Sequence, residues 1–223
     1  MNIIRSLYES GGPITILIVL AGLVSIYLVL ERLYHFQRIR VDVDEFINGL
    51  TNNLNHNNVI EAIKICDETP GPIPHIIKMA VLRADKSESE LREAIYDVSL
   101  NEVPRLERNI GLLAVLAYLT PLLGLLGTVL GMTVTFSKLK TGGINVSAAD
   151  LAGGIEAALY TTAAGLSVAI PAYGFYSMLL RKLQHVTLDM EKACNDIVYF
   201  LTNNKVDISA LRVKGNSRLE KSE

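Results

Sequence analysis

Two stretches place chemistry-capable side chains inside otherwise apolar surroundings. In residues 120–136, Thr120, Gly124, Gly127, Thr128, Gly131 and Thr135 recur at offsets of three and four, so small and hydroxyl-bearing residues share one stripe of a helix. In residues 154–172, Gly154, Ala158, Thr161, Thr162, Gly165, Ala169 and Ala172 form a second stripe of the same kind. Two such stripes facing each other suggest a lined passage, with Thr128, Thr162 and Thr161 as candidate pore-lining hydroxyls. Measured along the helix at 1.5 Å per residue, Thr128 lies about 12 Å and Thr162 about 16 Å from the external ends of their spans, a similar depth. The alternative is that each hydroxyl bonds back to a carbonyl one turn earlier and lines nothing. Gly124, Gly127, Gly131 and Gly165 are candidates for close helix packing.

Three further residues belong with these stripes. Pro121 and Pro171 deprive the carbonyls of Ala117 and Ser167 of their helical donor, so a kink and a wet lining are both open readings there. Glu156 falls about 8 Å inside its span, where a carboxylate must face water or a partner. It is either a proton site or a pore-vestibule or inter-subunit ion pair.

No enzyme signature accompanies these residues. A G-x-x-x-x-G-K-[ST] phosphate loop, H-E-x-x-H and G-x-S-x-G are all missing, and His35, His56, His75 and His185 are scattered, so catalysis is not expected. Cys66 and Cys194 stand far apart with no metal-ligand spacing around them, so no metal, no other cofactor and no disulfide is expected, and both read as free thiols. A net charge of -2 and the lack of tryptophan give neither a basic field nor stacking platforms for nucleic acid.

The elements that must position the stripes are membrane helices. Half of the 223 residues are hydrophobic, and they are concentrated in three runs, which predicts an all-α membrane protein with three transmembrane helices and long helical extensions. The expected organisation is an N-terminal segment 1–12, spans at 13–36, 109–137 and 151–180, a helical region 37–108, a tight loop 138–150, a helix 181–202 and a disordered tail 203–223. Gly12-Pro13 marks the start of the first span, which lacks a cleavage signature and reads as a retained anchor. Tyr34 and His35 at its end suit the headgroup level. In the region 37–108, Ser87 and Glu90 open a helix that carries Leu91, Ile95, Val98, Glu102 and Leu106 on one stripe and runs on toward the second span. Glu102 on that stripe is read as a rim or ion-paired carboxylate. Leu183, Val186, Met190, Ala193, Ile197 and Phe200 predict a helix that packs along another helix. Lys and Arg are plentiful after the first and third spans and sparse in the loop and N-terminus, so 37–108 and the C-terminus are expected in the cytoplasm, with the N-terminus outside.

The run T-P-L-L-G-L-L-G-T-V-L-G at 120–131 and the run A-L-Y-T-T-A-A-G-L at 158–166, ending in Ala169-Ile170-Pro171, resemble the MotA/TolQ/ExbB proton channel family, in its three-span TolQ/ExbB branch. The resemblance covers residues 13–202 and is closest to the ExbB type. It implies a homopentamer in a bacterial inner membrane, with the second and third spans around a central pore. Inside would sit the single helices of two copies of an ExbD/TolR-like partner, whose aspartate carries the proton past Thr128 and Thr162. The assembly would use the proton motive force to energise a TonB- or TolA-like protein that spans the periplasm. TonB-type outer-membrane uptake is the first expectation, a TolQ-like envelope or gliding motor the second, and a non-conducting scaffold the alternative class. One departure stands out. Several relatives hold a glutamate at the position of Ala157, whereas this chain has Glu156, turned by about 100° on the helix, so Glu156 does not inherit that role.

Overall fold

The structure is a computed structural model that describes residues 2–142 and 147–204, and of residues 2–11 and 150 the backbone only. The expected disordered tail, from residue 205 onward, and residues 143–146 of the expected loop lie outside the described residues. Seven helices follow one another, with no strand among the described residues: α1 Asn2–Arg38, α2 Val43–Asn55, α3 Val59–Glu68, α4 Pro72–Leu82, α5 Glu88–Glu107, α6 Ile110–Gly142 and α7 Ala148–Asn203. Three of the helical stretches are long and apolar enough to cross a membrane. The chain divides into two units, one of Met1–Leu33 with Arg108–Leu180, the other of Tyr34–Glu107 with Arg181–Glu223.

In the first unit, α1 is interrupted at Gly12, whose φ of 68° and ψ of -163° are backbone angles that a residue with a Cβ rarely adopts. Pro13 then begins the helix of the first span, where its missing N–H costs nothing. Ile14, Thr15, Ile18, Ser25, Leu28, Val29 and Arg32 are buried, a face with helical spacing, while Leu17, Leu20, Leu23, Ile26 and Leu30 point outward and are exposed. So many exposed leucines and isoleucines suit a surrounding of lipid rather than water.

The second unit has an interior of large aliphatic side chains. Leu50, Leu54, Val59, Ile76, Ile77, Val81 and Leu91 are almost wholly buried, and α2, α3, α4 and α5 each pack on the next. Asp42 caps α2 by accepting from the N–H groups of Asp44 and Glu45. Ser87 and Glu90 form the reciprocal capping box at the start of α5, which satisfies backbone donors that the helix itself cannot. Those hydrogen bonds also hold the Glu90 carboxyl below its ordinary pKa. In α7, Leu183, Met190, Ala193, Ile197, Val198 and Leu201 are buried, whereas Val186 and Phe200, expected on that face, are only half-buried.

One expectation is corrected. The helix that begins at Glu88 does not run straight into the second span, because α5 ends at Glu107 and Asn109 takes a φ of 67°. Asparagine tolerates that left-handed conformation better than most residues. Its carbonyl accepts from Leu113 N–H, starting α6, and its side-chain amide donates to Glu31 Oε2 at 3.0 Å. Glu31 in turn lies 3.1 Å from Nε of the buried Arg32, so the break is tied to the end of the first span by a polar network.

Candidate functional site

The two small-residue stripes meet each other directly. Helices α6 and α7 run antiparallel through the first unit, and their seam descends from Thr120 against Gly165, through Gly124 and Gly127 against Thr161 and Thr162, to Gly131 against Ala158 and Thr135 against Gly154. A Cβ added at Gly165 would sit 2.6 Å from the Thr120 carbonyl oxygen, and one at Gly127 would sit 2.3 Å from Thr161 Oγ1. At Gly131 the nearest atom would be the Ala158 Cβ at 2.9 Å. Backbones this close leave no room for side chains, which is the geometry that small residues permit in membrane helices. Beside this close contact, Gly127, Gly131, Gly154, Ala158 and Thr161 line a cavity of about 520 Å³ together with Pro13 of α1.

The candidate hydroxyls separate into different environments. Thr161 is 2% exposed and donates to the Ala158 carbonyl at 2.7 Å, so in the single chain it packs in the seam, at the wall of that cavity. Thr162 is half-buried and donates across the seam to the Gly124 carbonyl at 3.0 Å. Thr128 is half-buried, beside the seam, and donates to Leu125 O within its own helix at 2.6 Å. Because Thr162 is level with Gly124, the two hydroxyls are offset by one turn, about 6 Å, which is a larger stagger than counting from the span ends implies. Glu156 is exposed on α7. Pro121 and Pro171 both sit inside continuous helix, so neither interrupts its span. In the turn before each, Thr120 and Ser167 donate to the carbonyls of Leu116 and Ala163.

The seam also shows what sequence reasoning missed. Thr120 and Thr135, two ordinary members of the stripe, are buried and bond to carbonyls of their own helix, Leu116 and Gly131. Each therefore arrives with its polar group satisfied at the contact with Gly165 or Gly154. On α1, Gly22 completes the packing, since a Cβ there would approach Val168 of α7 to 3.2 Å. Nothing in the periodicity of one helix says which other helix covers it.

A second polar cluster lies in the second unit. Glu102, 9% exposed on α5, accepts at 2.8 Å from Arg105 and lies 3.0 Å from Nδ1 of His75 on α4. The carboxylate is ion-paired with Arg105, and its other neighbour, the His75 ring, is 27 residues away in the sequence, where the helical pattern of α5 could not reveal it. Among the described residues, no group of His, Cys, Asp or Glu could hold a metal ion. Burial, with a smaller push from Asp67, raises the Cys66 thiol to about 12, and burial raises Cys194 to about 11. Both cysteines are free, and neither is activated as a nucleophile.

Comparison with known proteins agrees with this architecture. The profile of the MotA/TolQ/ExbB proton channel family matches residues 69–192, a segment that contains α5, α6 and most of α7. A putative biopolymer transport protein ExbB homolog of Methanothermobacter thermautotrophicus is 29% identical over 96% of this chain and 74% of its own length. The biopolymer transport protein ExbB of Neisseria meningitidis serogroup A is 28% identical over 92% of this chain and 99% of its own. Over a shorter stretch, 45% of this chain and 46% of the relative, identity to the biopolymer transport protein exbB1 of Vibrio cholerae reaches 39%. With three membrane-crossing helices, two interlocked small-residue stripes and a family match over more than half of its length, this chain belongs to the MotA/TolQ/ExbB proton channel family.

Proposed function

We propose that this chain is the wall-forming subunit of a proton-driven motor in a bacterial inner membrane, with residues 37–108 and 181–202 in the cytoplasm and the N-terminus in the periplasm. It works as a homopentamer around two copies of an ExbD/TolR-like single-span subunit. Inward proton flow then drives a protein that reaches across the periplasm, with TonB-type uptake as the first assignment. The observation that carries this reading is the division of polar groups in the first unit. The α6/α7 seam is closed, and beside it Thr128 and Thr162 remain only half-buried. Residues 109–137 contain no acid or base, and residues 151–180 contain only Glu156. Such a surface can hydrogen-bond water or a carboxylic acid, but it supplies no titratable group of its own at mid-membrane. The proton carrier therefore belongs to another subunit. A proton falling through 100 mV releases about 2.3 kcal/mol, enough to bias a conformational cycle.

Thr128→Val separates this reading from a non-conducting scaffold better than Thr162→Val, because the Thr128 hydroxyl bonds only within its own turn, whereas that of Thr162 joins two helices. The expected result is that Thr128→Val assembles with its partner in the wild-type ratio, measured by co-purification, yet loses motor-dependent uptake. Full uptake by an assembled Thr128→Val complex contradicts the proposal.

A further inference from the structure

Outside the seam, a cavity among the described residues is lined by cations that make no ion pair there. It lies within the second unit, has a volume of about 590 Å³, and is lined by the end of α1, the connection to α2 and the segment of α7 that follows the third span. Arg40, Lys182 and His185 face it, and none of the three makes a hydrogen bond or an ion pair among the described residues. Asp189 is the one acid in the lining. Phe36 and Ile39, buried to within 6% and 8% exposure, supply an apolar wall. Lys182 and His185 are three residues apart on one helix and so share a face. Along α7, Lys182 stands about 3 Å beyond the expected end of the span at Leu180, within the polar layer that flanks the hydrocarbon core by several ångströms on each side.

We infer that this cavity binds a phosphate-bearing anion, and that in the membrane the anion is the headgroup of an acidic phospholipid. Arg40 and Lys182 supply the charge, His185 supplies a third polar contact, and Phe36 and Ile39 meet the glycerol and the first carbons of the acyl chains. Two cations and one histidine face the cavity against a single carboxylate, that of Asp189, so its lining favours an anion. A basic pocket between helices at the headgroup level is a known form of lipid site. The inference rests on the span ends proposed above, though not on proton conduction or on the choice of partner.

The test is native mass spectrometry of the full chain released from nanodiscs that contain equal phosphatidylglycerol and phosphatidylcholine, with inorganic phosphate titrated into detergent-solubilised chain as a second arm. The chain should retain phosphatidylglycerol preferentially. Each cation is worth about fivefold in preference for an acidic surface, so Arg40→Gln with Lys182→Gln should lower the preference by about 25-fold. Asp189→Asn should raise it, a gain that misfolding cannot produce. Lys64→Gln, on α3 and outside the cavity lining, should change nothing. Binding of phosphate alone with the same dependence on Arg40 and Lys182 would assign the site to a free anion rather than a lipid, and would hold even if the span ends were misplaced. Equal retention of both lipids by the wild type and the double variant, with no phosphate binding, overturns the inference. It leaves the proton-motor reading intact, because conduction is not measured.

Discussion

Along the α6/α7 seam the residues that meet are Gly124, Gly127, Gly131, Ala158 and Gly165, whereas the interior of the second unit is filled by Leu50, Leu54, Ile76, Ile77 and Leu91. In water, burial of large apolar side chains drives association. Between helices surrounded by lipid that drive is missing, and contact must come from backbones brought close enough for dense packing and hydrogen bonds. The two regions should therefore respond in opposite ways to a change in volume. The second unit should be damaged by losing side chain, and the seam by gaining it.

The largest effect should come from emptying the second unit. Leu50→Ala, at a fully buried position, is expected to cost about 2–5 kcal/mol, visible as an earlier thermal transition in detergent. The reverse change in the seam comes next. Gly165→Ala places a methyl 2.6 Å from a backbone oxygen, a clash that no side-chain rotation relieves, and should cost about 1–3 kcal/mol. If Gly165→Ala were neutral, or if Thr135→Ala in the seam were as damaging as Leu50→Ala, the contrast would fail. Glu102→Ala should cost about 1 kcal/mol, because His75 and Arg105 are open enough to rehydrate, with side chains 50% and 71% exposed. The smallest change belongs to Thr162→Val, which removes one inter-helix hydrogen bond worth about 0.6 kcal/mol on average. Steric-trapping measurements of the membrane unit can resolve that difference.

The legibility of these features in the sequence follows the range of the interactions. The three spans, the capping box at Ser87 and the stripe on each membrane helix are set by residues within a turn or two of each other, and each can be read from spacing. That the two stripes close on each other depends on one helix turning back against another. A row of glycines says only that something comes close. At the break, Asn109 is a residue that tolerates a left-handed turn, but its side-chain bond to Glu31, 78 positions earlier, could not be read from local spacing. The stagger of Thr128 and Thr162 was hidden for a related cause: counting from span ends assumes two helices of equal register, and the seam fixes the register instead. The partner of Glu102 could not be read from α5 either, since His75 belongs to a separate helix.

On the proposed reading, this chain builds the wall of a proton path and lacks the group that carries the proton. Proton flux into liposomes under an imposed potential distinguishes the two roles, comparing the chain alone, the proposed single-span partner alone and the two together. Flux is expected from the complex, with loss of that flux in Thr128→Val and no flux above the lipid background from the chain alone. Equal conduction by the isolated chain and the complex would contradict that reading.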